Sequence, residues 1–572
     1  MKQKSIAGSF LKRAREKPFC KKVSLATLKT KTTKKKESMK TKKRILTAGA
    51  WPYANNYMHV GHLAAMLPGD IVSRYHRLIG NEVIFVSGSD CHGTPITERA
   101  KRENVPPFEI ADKYHKSFKD CFARLNFSYD YYGATYEGFH KEEVRRVFLK
   151  LYEDGWFYEQ KNTQDYCPTC KTFLSDREIR GVCPHCGQIS KGDQCDECLA
   201  SLDASQLKDK TCAACGGATA QRENKSLMFK LSEFQGQLER LLAARQDTWR
   251  TNALNETRKY LEQGLPDRAV TRDLSWGIDV PVKGFEDKKI YVWIEAVLGY
   301  YTCCKKVAGE RGAAVGDFLK DDGNLSTYYI HGKDNIPFHT VIFPALLLAM
   351  NPAFQLPEYI MSCEYIKTNN EKMSKSLGNL IAVPDLLDAF DADTVRFYAI
   401  LSNPEKKDSG FTTAGMIGAH NKILVGGLGN FVNRNASYLK KKFGGVVPDG
   451  AVDQGIADAT RALYKDAGAR LEAGYTREAL ELLVDYVQAA NKYYDDRKPW
   501  VQAHTDPAGF GDTTATCLYM IANMSNLFYP FIPSAMERLK GMLGLEAAKW
   551  EEARFTAKTL GEIGIHFNRI EN

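Results

Sequence analysis

The spacing of apolar residues changes along the chain, and this change predicts two kinds of architecture. A short apolar run, residues 44–51 (RILTAGAW), is typical of a buried strand, and the loop PYANNYMHVGH, residues 52–62, follows it. Past residue 409, apolar residues recur at positions i, i+3 and i+4, most clearly over residues 469–500, which predicts amphipathic helices packed as a bundle. The longest apolar run, residues 340–350, is too short to span a bilayer, so we expect no membrane partner.

The length and charge of the chain limit the number of domains and the kinds of partner that we expect. A chain of 572 residues is too long for one hydrophobic core, so we expect roughly three to four domains. The formal net charge is +10, but residues 1–43 carry +14 and the remaining chain carries −4. Global charge therefore does not predict RNA binding, which must come from local patches or from the N-terminal segment. That segment has the composition of a disordered basic arm, and a transit peptide or a true start at Met39 remain alternatives.

Eight of the fifteen cysteines form four Cys-x-x-Cys pairs between residues 167 and 215. Disulfides are the competing explanation, but we see no secretory signal, and a reducing cytosol disfavours them. Two pairs supply the four thiolates of a closed tetrahedral site, so the cluster predicts two structural zinc ions. The middle pairs have the shortest spacer and would close one site, with the outer pairs closing the second, but the sequence leaves the pairing open. The candidate ligands are Cys167, Cys170, Cys183, Cys186, Cys195, Cys198, Cys212 and Cys215.

Two further motifs lie more than 300 residues apart. In HVGH, His59 and His62 would share one face of a helix start, where backbone N–H groups favour phosphate, and Gly61 would let a purine ring approach the backbone. In KMSKS, Lys372 and Lys375 are separated by two residues. Either motif alone is more often an ordinary helix start or a solvated loop. Together they indicate a site that binds a nucleoside triphosphate from two sides.

With both motifs present, the chain resembles the methionyl-tRNA synthetase family of class I aminoacyl-tRNA synthetases over residues 44–572. AWPYANNYMHVGH, SGSDCHGTPI, RDLSWGI, YVWIEAVLGY, GKDNIPFH and KMSKSLGN occur in the order seen in that family. The resemblance implies an α/β fold, in which a split, doubly wound parallel sheet of the Rossmann type carries a zinc-binding insert and precedes an α-helical anticodon-binding bundle. The implied divisions are the arm (1–43), the first half of the catalytic domain (44–125), the insert with two zinc knuckles (126–235), the second half (236–345), the KMSKS-loop and stem-contact region (346–408) and the helical domain (409–572).

The resemblance also implies an ATP-dependent ligase that converts L-methionine into methionyl-adenylate and transfers it to the 3′ end of tRNA(Met). We expect a cytoplasmic monomer, with Mg²⁺ arriving with the ATP. The implied ATP-binding residues are His59, Gly61, His62, Lys372 and Lys375, of which the histidines and lysines are also catalytic. Positions that match the family's methionine pocket are Ala50, Trp51, Tyr53, Asp90, Arg272, Trp293, Val297, Tyr300 and His339. The candidate anticodon contacts are Asn430, Arg434 and Trp500, an amide, a guanidinium and an indole suited to unstacked bases.

Other classes of protein fit less well. A zinc-containing RNA-binding module without catalysis would not need the HVGH and KMSKS residues, and a small-molecule nucleotidyltransferase would not need the helical C-terminal region. A cysteinyl-tRNA synthetase would need zinc beside its amino-acid pocket, where only the isolated Cys91 lies near the HVGH segment. The leucyl, isoleucyl and valyl enzymes carry a large editing domain where this chain has the cysteine-rich insert. The methionyl interpretation is therefore favoured.

Overall fold

The computed structural model of the chain describes residues 42–174, 178–191, 195, 197–198, 206–368, 371–372, 380–561 and 567–571. The first part alternates strands with helices. Its elements are β1 (Arg44–Gly49), α1 (Val60–Leu78), β2 (Glu82–Ser89), α2 (Thr94–Glu103), α3 (Pro107–Arg124), β3 (Tyr131–Ala134) and α4 (Gly138–Glu153). β1 and β2 are buried almost throughout, as expected for parallel strands that are covered on both faces.

The insert is built on a long antiparallel ribbon that ends in the cysteine clusters. Its strands are β4 (Phe157–Cys167), β5 (Thr172–Phe173), β6 (Ile179–Val182), β7 (Ile189–Lys191), β8 (Lys208–Cys212) and β9 (Ala220–Phe229). β4 and β9 pair in continuous register from Phe157 opposite Phe229 to Tyr166 opposite Ala220. β6, β7 and β8 form a small separate sheet. The ribbon thus carries the cysteines away from the central sheet.

The chain then returns to the central sheet. The elements are α5 (Gln235–Ala244), α6 (Thr251–Glu262), β10 (Arg268–Ala269), β11 (Thr271–Arg272), β12 (Lys289–Ile290), α7 (Val292–Glu310), β13 (Leu325–Gly332), α8 (Phe343–Met350) and β14 (Tyr359–Cys363). The central sheet has the order β14-β13-β1-β2-β3, and every pairing is parallel. Each half of the domain therefore contributes strands on its own side of β1. In such doubly wound sheets, ligands bind at the carboxyl ends of the strands, where the strand order reverses.

A small sheet leads into the helical region. Its strands are β15 (Ile366–Thr368), β16 (Glu371–Lys372) and β17 (Ser409–Gly410). The helices are α9 (Val383–Ala389), α10 (Ala392–Leu401), α11 (Thr413–Ala419), α12 (Asn430–Phe443), α13 (Gln454–Glu472), α14 (Thr476–Arg497), α15 (Pro499–Thr505), α16 (Pro507–Leu527) and α17 (Pro533–Leu543). The apolar stretch 469–500 spans parts of three helices. Gly474, with a positive φ of 77°, separates α13 from α14, and Lys498, with a positive φ of 51°, separates α14 from α15. No helix in these ranges is long and apolar enough to cross a membrane.

The α/β fold with a helical C-terminal domain is confirmed, but the central sheet extends beyond the divisions expected from the sequence. β3 pairs with β2 although it falls after residue 125, and β14 pairs with β13 although it falls after residue 345. Both are edge strands of four or five residues, too short to be recognised from hydrophobic spacing.

A buried ion-pair network joins the central domain to the helical one. Arg396 of α10 is fully buried and donates to Asp70 of α1 at 2.6 Å. The same guanidinium donates to the carbonyl oxygens of Leu125 at 3.0 Å and Phe531 at 2.9 Å. Burial opposes ionisation of Asp70, yet the guanidinium groups of Arg74 and Arg396 lower its pKa to about 2. Arg396 therefore links helix α1, which begins at the HVGH segment, to the helical domain through the Phe531 carbonyl oxygen.

Candidate active site

The HVGH segment forms the first turn of α1, just past the carboxyl end of β1. His59 is the N-cap residue, and its Nδ1 accepts a hydrogen bond from the Gly61 N–H at 3.1 Å. The His62 Nδ1 accepts from the His59 N–H at 3.4 Å, and the two rings stack with their centroids 3.7 Å apart. Both histidines are partly exposed at a helix N-terminus, a place that favours anions. The structure thus brings the two predicted histidines together on one face.

The second motif reaches the same edge of the sheet. An antiparallel bridge pairs His59 with Ala382, three residues past the end of KMSKSLGN. On the other side of that motif, Lys372 lies in β16, which pairs with β15. Lys375 lies outside the described residues. The chain that follows the KMSKS segment therefore lies beside the N-cap of α1, although more than 300 residues separate the two motifs in sequence.

Aromatic side chains predicted for the methionine pocket form two hydrogen-bonded pairs. The Trp293 Nε1–H donates to the Tyr53 hydroxyl at 2.5 Å, and the Tyr300 hydroxyl lies 2.7 Å from His339 Nε2. The His339 Nδ1 is 2.8 Å from the Asn335 carbonyl oxygen, which can only accept, so the proton sits on Nδ1 and Nε2 accepts from Tyr300. Burial lowers the pKa of His339 to about 4, so the ring is neutral at physiological pH.

The remaining apolar candidates come from the end of β1 and from α7. The Ala50 N–H donates to the Ile330 carbonyl oxygen at 2.8 Å, which holds the chain at the carboxyl edge as it leaves β1. Trp51 follows and stacks on His140, with the ring centroids 5.6 Å apart. Val297 is buried on α7, in the same apolar cluster as Tyr300. Trp51 packs against that same cluster, so the end of β1 and helix α7 meet there.

The two charged candidates make separate contacts. Asp90 lies directly after β2 and is buried, and burial raises the pKa of its carboxyl group, with Glu295 adding to the rise. Arg272 donates to the Ala269 carbonyl oxygen at 2.9 Å, and its guanidinium carbon lies 4.1 Å from the centre of the Tyr291 ring. Asp90 Oδ1 accepts a hydrogen bond from the His92 N–H at 3.4 Å, and a nearby cation would favour the ionised form that burial disfavours.

Sequence reasoning missed a buried pair beside Asp90. His92 Nδ1 lies 2.7 Å from Glu295 Oε1, and both side chains are fully buried. Burial lowers the pKa of His92 to about 3 and raises that of Glu295, so neither group is readily ionised alone. His331, also missed, stacks on His339 with the centroids 4.0 Å apart. His92 and Glu295 lie within the motifs SGSDCHGTPI and YVWIEAVLGY, so the residues were visible, but their contact across 203 positions was not.

The eight cysteines form two separate groups at the end of the insert. One group is Cys167, Cys170, Cys212 and Cys215, and the other is Cys183, Cys186, Cys195 and Cys198. Within each group all Sγ atoms lie within 4.8 Å of one another. Four thiolates bound to one tetrahedral zinc at about 2.3 Å lie about 3.8 Å apart, so either group can hold zinc. The two middle Cys-x-x-Cys pairs thus share one group, and the two outer pairs share the other. This nested arrangement is the one that the spacer lengths suggested.

Backbone hydrogen bonds lower the pKa of one thiol in each group, while hydrogen bonds from neighbouring thiols raise the pKa of Cys170, and burial with such hydrogen bonds raises that of Cys186. The Cys170 N–H donates to Cys167 Sγ at 3.3 Å and lowers the pKa of that thiol to about 7. Hydrogen bonding from the Cys198 backbone lowers the pKa of Cys195 to about 6. Metal ligation requires the thiolate form, which these hydrogen bonds stabilise. The local apolar core beside the cysteines is small and contains Leu174, Ile179 and Leu207, so a metal would add much of the stability of the insert.

The three anticodon candidates lie on one surface of the helical domain. The Arg434 guanidinium carbon lies 4.5 Å from the ring centre of Tyr494 and 5.7 Å from that of Trp500. Trp500, at the start of α15, is 38% exposed. Asn430 precedes Arg434 by one helical turn on α12 and donates to the Asn491 amide oxygen at 3.2 Å. The structure therefore brings an amide, a guanidinium and a partly exposed indole together.

Comparison with known proteins identifies the class and then the family. A family model described as tRNA synthetases class I (M) matches residues 45–436, and one described as the anticodon binding domain of methionyl tRNA ligase matches residues 447–572. The fold and the paired motifs are those of a class I aminoacyl-tRNA synthetase. Within that class, the chain belongs to the methionine–tRNA ligase family.

Individual relatives agree with this assignment. Methionine–tRNA ligase 1 of Alkaliphilus oremlandii (strain OhILAs) is 44% identical over 528 residues, which cover 92% of this chain and 97% of that protein. The methionine–tRNA ligase of Bacillus anthracis (strain CDC 684 / NRRL 3495) is 44% identical over 529 residues, with the same coverage. The structure of Mycobacterium tuberculosis methionyl-tRNA synthetase in complex with methionyl-adenylate has a TM-score of 0.75 at 23% identity, over 92% of this chain and all of that one. The family resemblance seen in the motifs is confirmed.

Proposed function

We propose that the chain activates L-methionine with ATP and transfers the methionyl group to tRNA(Met). The main support for this proposal is the bridge between His59 and Ala382, which brings the residue three positions past KMSKSLGN against the N-cap of α1, at the carboxyl edge of the parallel sheet. Membership of the methionine–tRNA ligase family supports the amino acid and the nucleic acid.

In the first step, the methionine carboxylate attacks the α-phosphorus of ATP, the bond to the bridging oxygen breaks, and pyrophosphate leaves with the electron pair. The carboxylate is already ionised, so no base is needed, and the enzyme contributes position and charge stabilisation. We assign phosphate contacts to His59 and His62 at the N-terminus of α1, and contacts with the departing pyrophosphate to Lys372 and Lys375. The Gly61 backbone would lie against the adenine, and Mg²⁺ bound with ATP would neutralise phosphate charge.

The amino-acid pocket suits a thioether. A polarizable sulfur gains dispersion and edge contacts among aromatic rings, here the paired Tyr53 and Trp293 and the paired Tyr300 and His339. The neutral His339 ring adds no charge to this apolar wall. Asp90 would receive the ammonium group of methionine, which would restore the ionised form that burial disfavours. Trp51, Ala50, Val297 and Arg272 complete the proposed pocket.

In the second step, a hydroxyl of the terminal ribose of tRNA attacks the carbonyl carbon of methionyl-adenylate, and AMP leaves. We propose that Asn430, Arg434 and Trp500 contact anticodon bases, through stacking on the indole and guanidinium and hydrogen bonds from the amide. Their shared surface on the helical domain supports this role. These contacts select the tRNA, while the chemistry takes place at the sheet.

We propose further that each cysteine group holds one structural zinc ion. Four thiolates per group leave no open coordination position, so the metal would fold the insert and take no part in the reaction. The fourteen described cysteines are all free thiols, which suits a reducing compartment, and we place the enzyme in the cytoplasm as a monomer. Metal analysis and light scattering on the purified protein test the zinc content and the monomeric state.

The function is tested by ATP–pyrophosphate exchange measured with each of the twenty amino acids. Methionine alone should support exchange above background, in the absence of tRNA. Exchange with another amino acid at a higher kcat/KM would reassign the substrate. Exchange with none, in a folded and zinc-loaded preparation, would favour an RNA-binding module without catalysis.

A further inference from the structure

The Trp51 indole lies between β2 and α7, in a space walled by two glycines and a histidine ring, which we call the Trp51 socket (Gly88, His140 and Gly299). A Cβ added at Gly88 would lie 2.5 Å from Trp51 Cη2, and one added at Gly299 would lie 2.6 Å from Trp51 Cε2. Real Cβ atoms do not approach so closely. The His140 ring stacks on the indole at an interplanar angle of 29°. Both glycines therefore provide space for the indole.

Gly299 is the more informative of the two glycines. It lies inside helix α7, where alanine would stabilise the helix better than glycine does. The three atoms nearest to a Cβ at Gly299 all belong to Trp51, whereas a Cβ at Gly88 would also meet the backbone oxygen of Gly133 at 2.7 Å. A substitution at Gly299 therefore reports on one contact.

Hydrogen bonds tie the histidine wall of the socket to the same helix. The Thr302 hydroxyl donates to the Gly299 carbonyl oxygen at 3.2 Å, and its oxygen lies 2.9 Å from His140 Nδ1. A hydroxyl has one hydrogen, so the Thr302 oxygen must accept from the His140 Nδ1–H. This chain of two bonds fixes the plane of the His140 ring against the indole. The groups that line the socket thus belong to β2, α4 and α7.

We propose that Gly299 is a specificity-determining residue, because the space it leaves lets the Trp51 indole lie back in its socket and sets the depth of the amino-acid pocket. The inference rests on the proposed function, which places Trp51 beside bound methionine. With the backbone of Gly88 and the ring of His140 closing the other sides, a methyl group at Gly299 must push the indole toward its partly exposed side, where the substrate binds. The pocket then becomes too shallow for methionine.

The test is a double-mutant cycle of Gly299→Ala and Trp51→Leu, with Gly309→Ala as the control. Gly309 lies in the last turn of α7 and has nothing within 4 Å of an added Cβ. In pyrophosphate exchange, Gly299→Ala should raise the methionine KM at least tenfold, with kcat within about threefold and the ATP KM unchanged. Added to Trp51→Leu, the same change should leave the methionine KM within about threefold of the Trp51→Leu value. Trp51→Leu alone should reduce the preference for methionine over ethionine, which is longer by one methylene, about tenfold.

Thermal melting of the same variants gives a readout that is independent of activity. Gly299→Ala should lower the melting temperature in the unmodified chain but raise it by about 1–2 °C beside Trp51→Leu, where the helix gains from alanine without a clash. If Gly299→Ala changed the melting temperature equally with and without Trp51→Leu, the proposed contact would be wrong. If the two melting-temperature changes differed but Gly299→Ala left the methionine KM unchanged, the specificity role would be wrong. Absence of methionine-dependent exchange in the unmodified chain would instead contradict the proposed function, while the melting cycle would still report on the socket.

Discussion

Trp500→Ala should weaken tRNA charging while leaving methionine activation intact. The indole is 38% exposed, and its ring centre lies 5.7 Å from that of Tyr494 and 5.7 Å from the guanidinium carbon of Arg434. Such a ring offers one face to an incoming base while the other face rests on its own domain. Loss of one base–aromatic stack costs about 1–3 kcal/mol, so tRNA should bind about ten- to a hundredfold more weakly.

Trp500→Ala should lower the free energy of unfolding by less than the loss of a fully buried tryptophan would. Removal of a fully buried tryptophan costs about 3–5 kcal/mol, and an indole exposed to this extent at the start of a seven-residue helix should cost about 2 kcal/mol or less. The melting temperature of the helical domain should therefore fall by a few degrees only. Val501→Ala is the matched control, because Val501 is the next residue of α15 and is 45% exposed, but has no aromatic face.

The assay combines the kinetics of tRNA charging, pyrophosphate exchange without tRNA, and thermal melting. The expected result is a raised KM for tRNA, unchanged exchange and a small change in melting temperature, with Val501→Ala close to the unmodified protein in all three. A fall in melting temperature on the order of 10 °C would show that Trp500 is a packing residue of the bundle. Charging as fast as in the unmodified protein would remove Trp500 from the RNA site.

Three further predictions concern the zinc sites, the KMSKS loop and the contact between domains. Cys183→Ser should reduce bound zinc from two ions per chain to one and impair transfer to tRNA more than ATP binding; retention of two ions by metal analysis would contradict the assignment. Lys375→Ala should slow adenylate formation by orders of magnitude and leave methionine affinity nearly unchanged in single-turnover kinetics, since it acts on charge that develops in the transition state. Arg396→Met should destabilise the protein by about 3–5 kcal/mol in urea titrations, because it leaves Asp70 short of a buried partner. The stability that ionised Asp70 adds is complete above about pH 4 and lost as the pH falls toward 2, and this loss should be smaller in Arg396→Met.

Short-range sequence patterns predicted those parts of the molecule that local chemistry determines. The Cys-x-x-Cys spacing places two thiolates on one turn, so two four-cysteine groups follow from it, and the observed nesting matches the spacer lengths. The i, i+3, i+4 pattern predicted the helical domain, because this spacing places apolar side chains on one face of a helix. Gly474, which divides the longest such stretch, was not recognised as a break because a single glycine is tolerated within many helices.

Long-range contacts lay beyond this kind of reasoning. The HVGH and KMSKS motifs were assigned to one site because they occur together and resemble a family, since nothing in their local patterns requires the bridge between His59 and Ala382. The space that Gly299 leaves for Trp51 depends on packing between residues almost 250 positions apart, and a helical glycine gives no sign of it. The edge strands β3 and β14 are likewise defined by pairing, not by their own sequences.

Esterification of tRNA with methionine is the activity on which the assigned roles of the site residues depend. The most direct measurement is the charging of tRNA transcripts by the purified full-length protein with ATP and methionine, followed on acid gels that separate charged from uncharged tRNA. We expect methionine-dependent charging of a transcript with a CAU anticodon, and charging at least a hundredfold slower when that anticodon is replaced. No charging by a protein that carries two zinc ions, or equal charging of both transcripts, would refute the proposed activity.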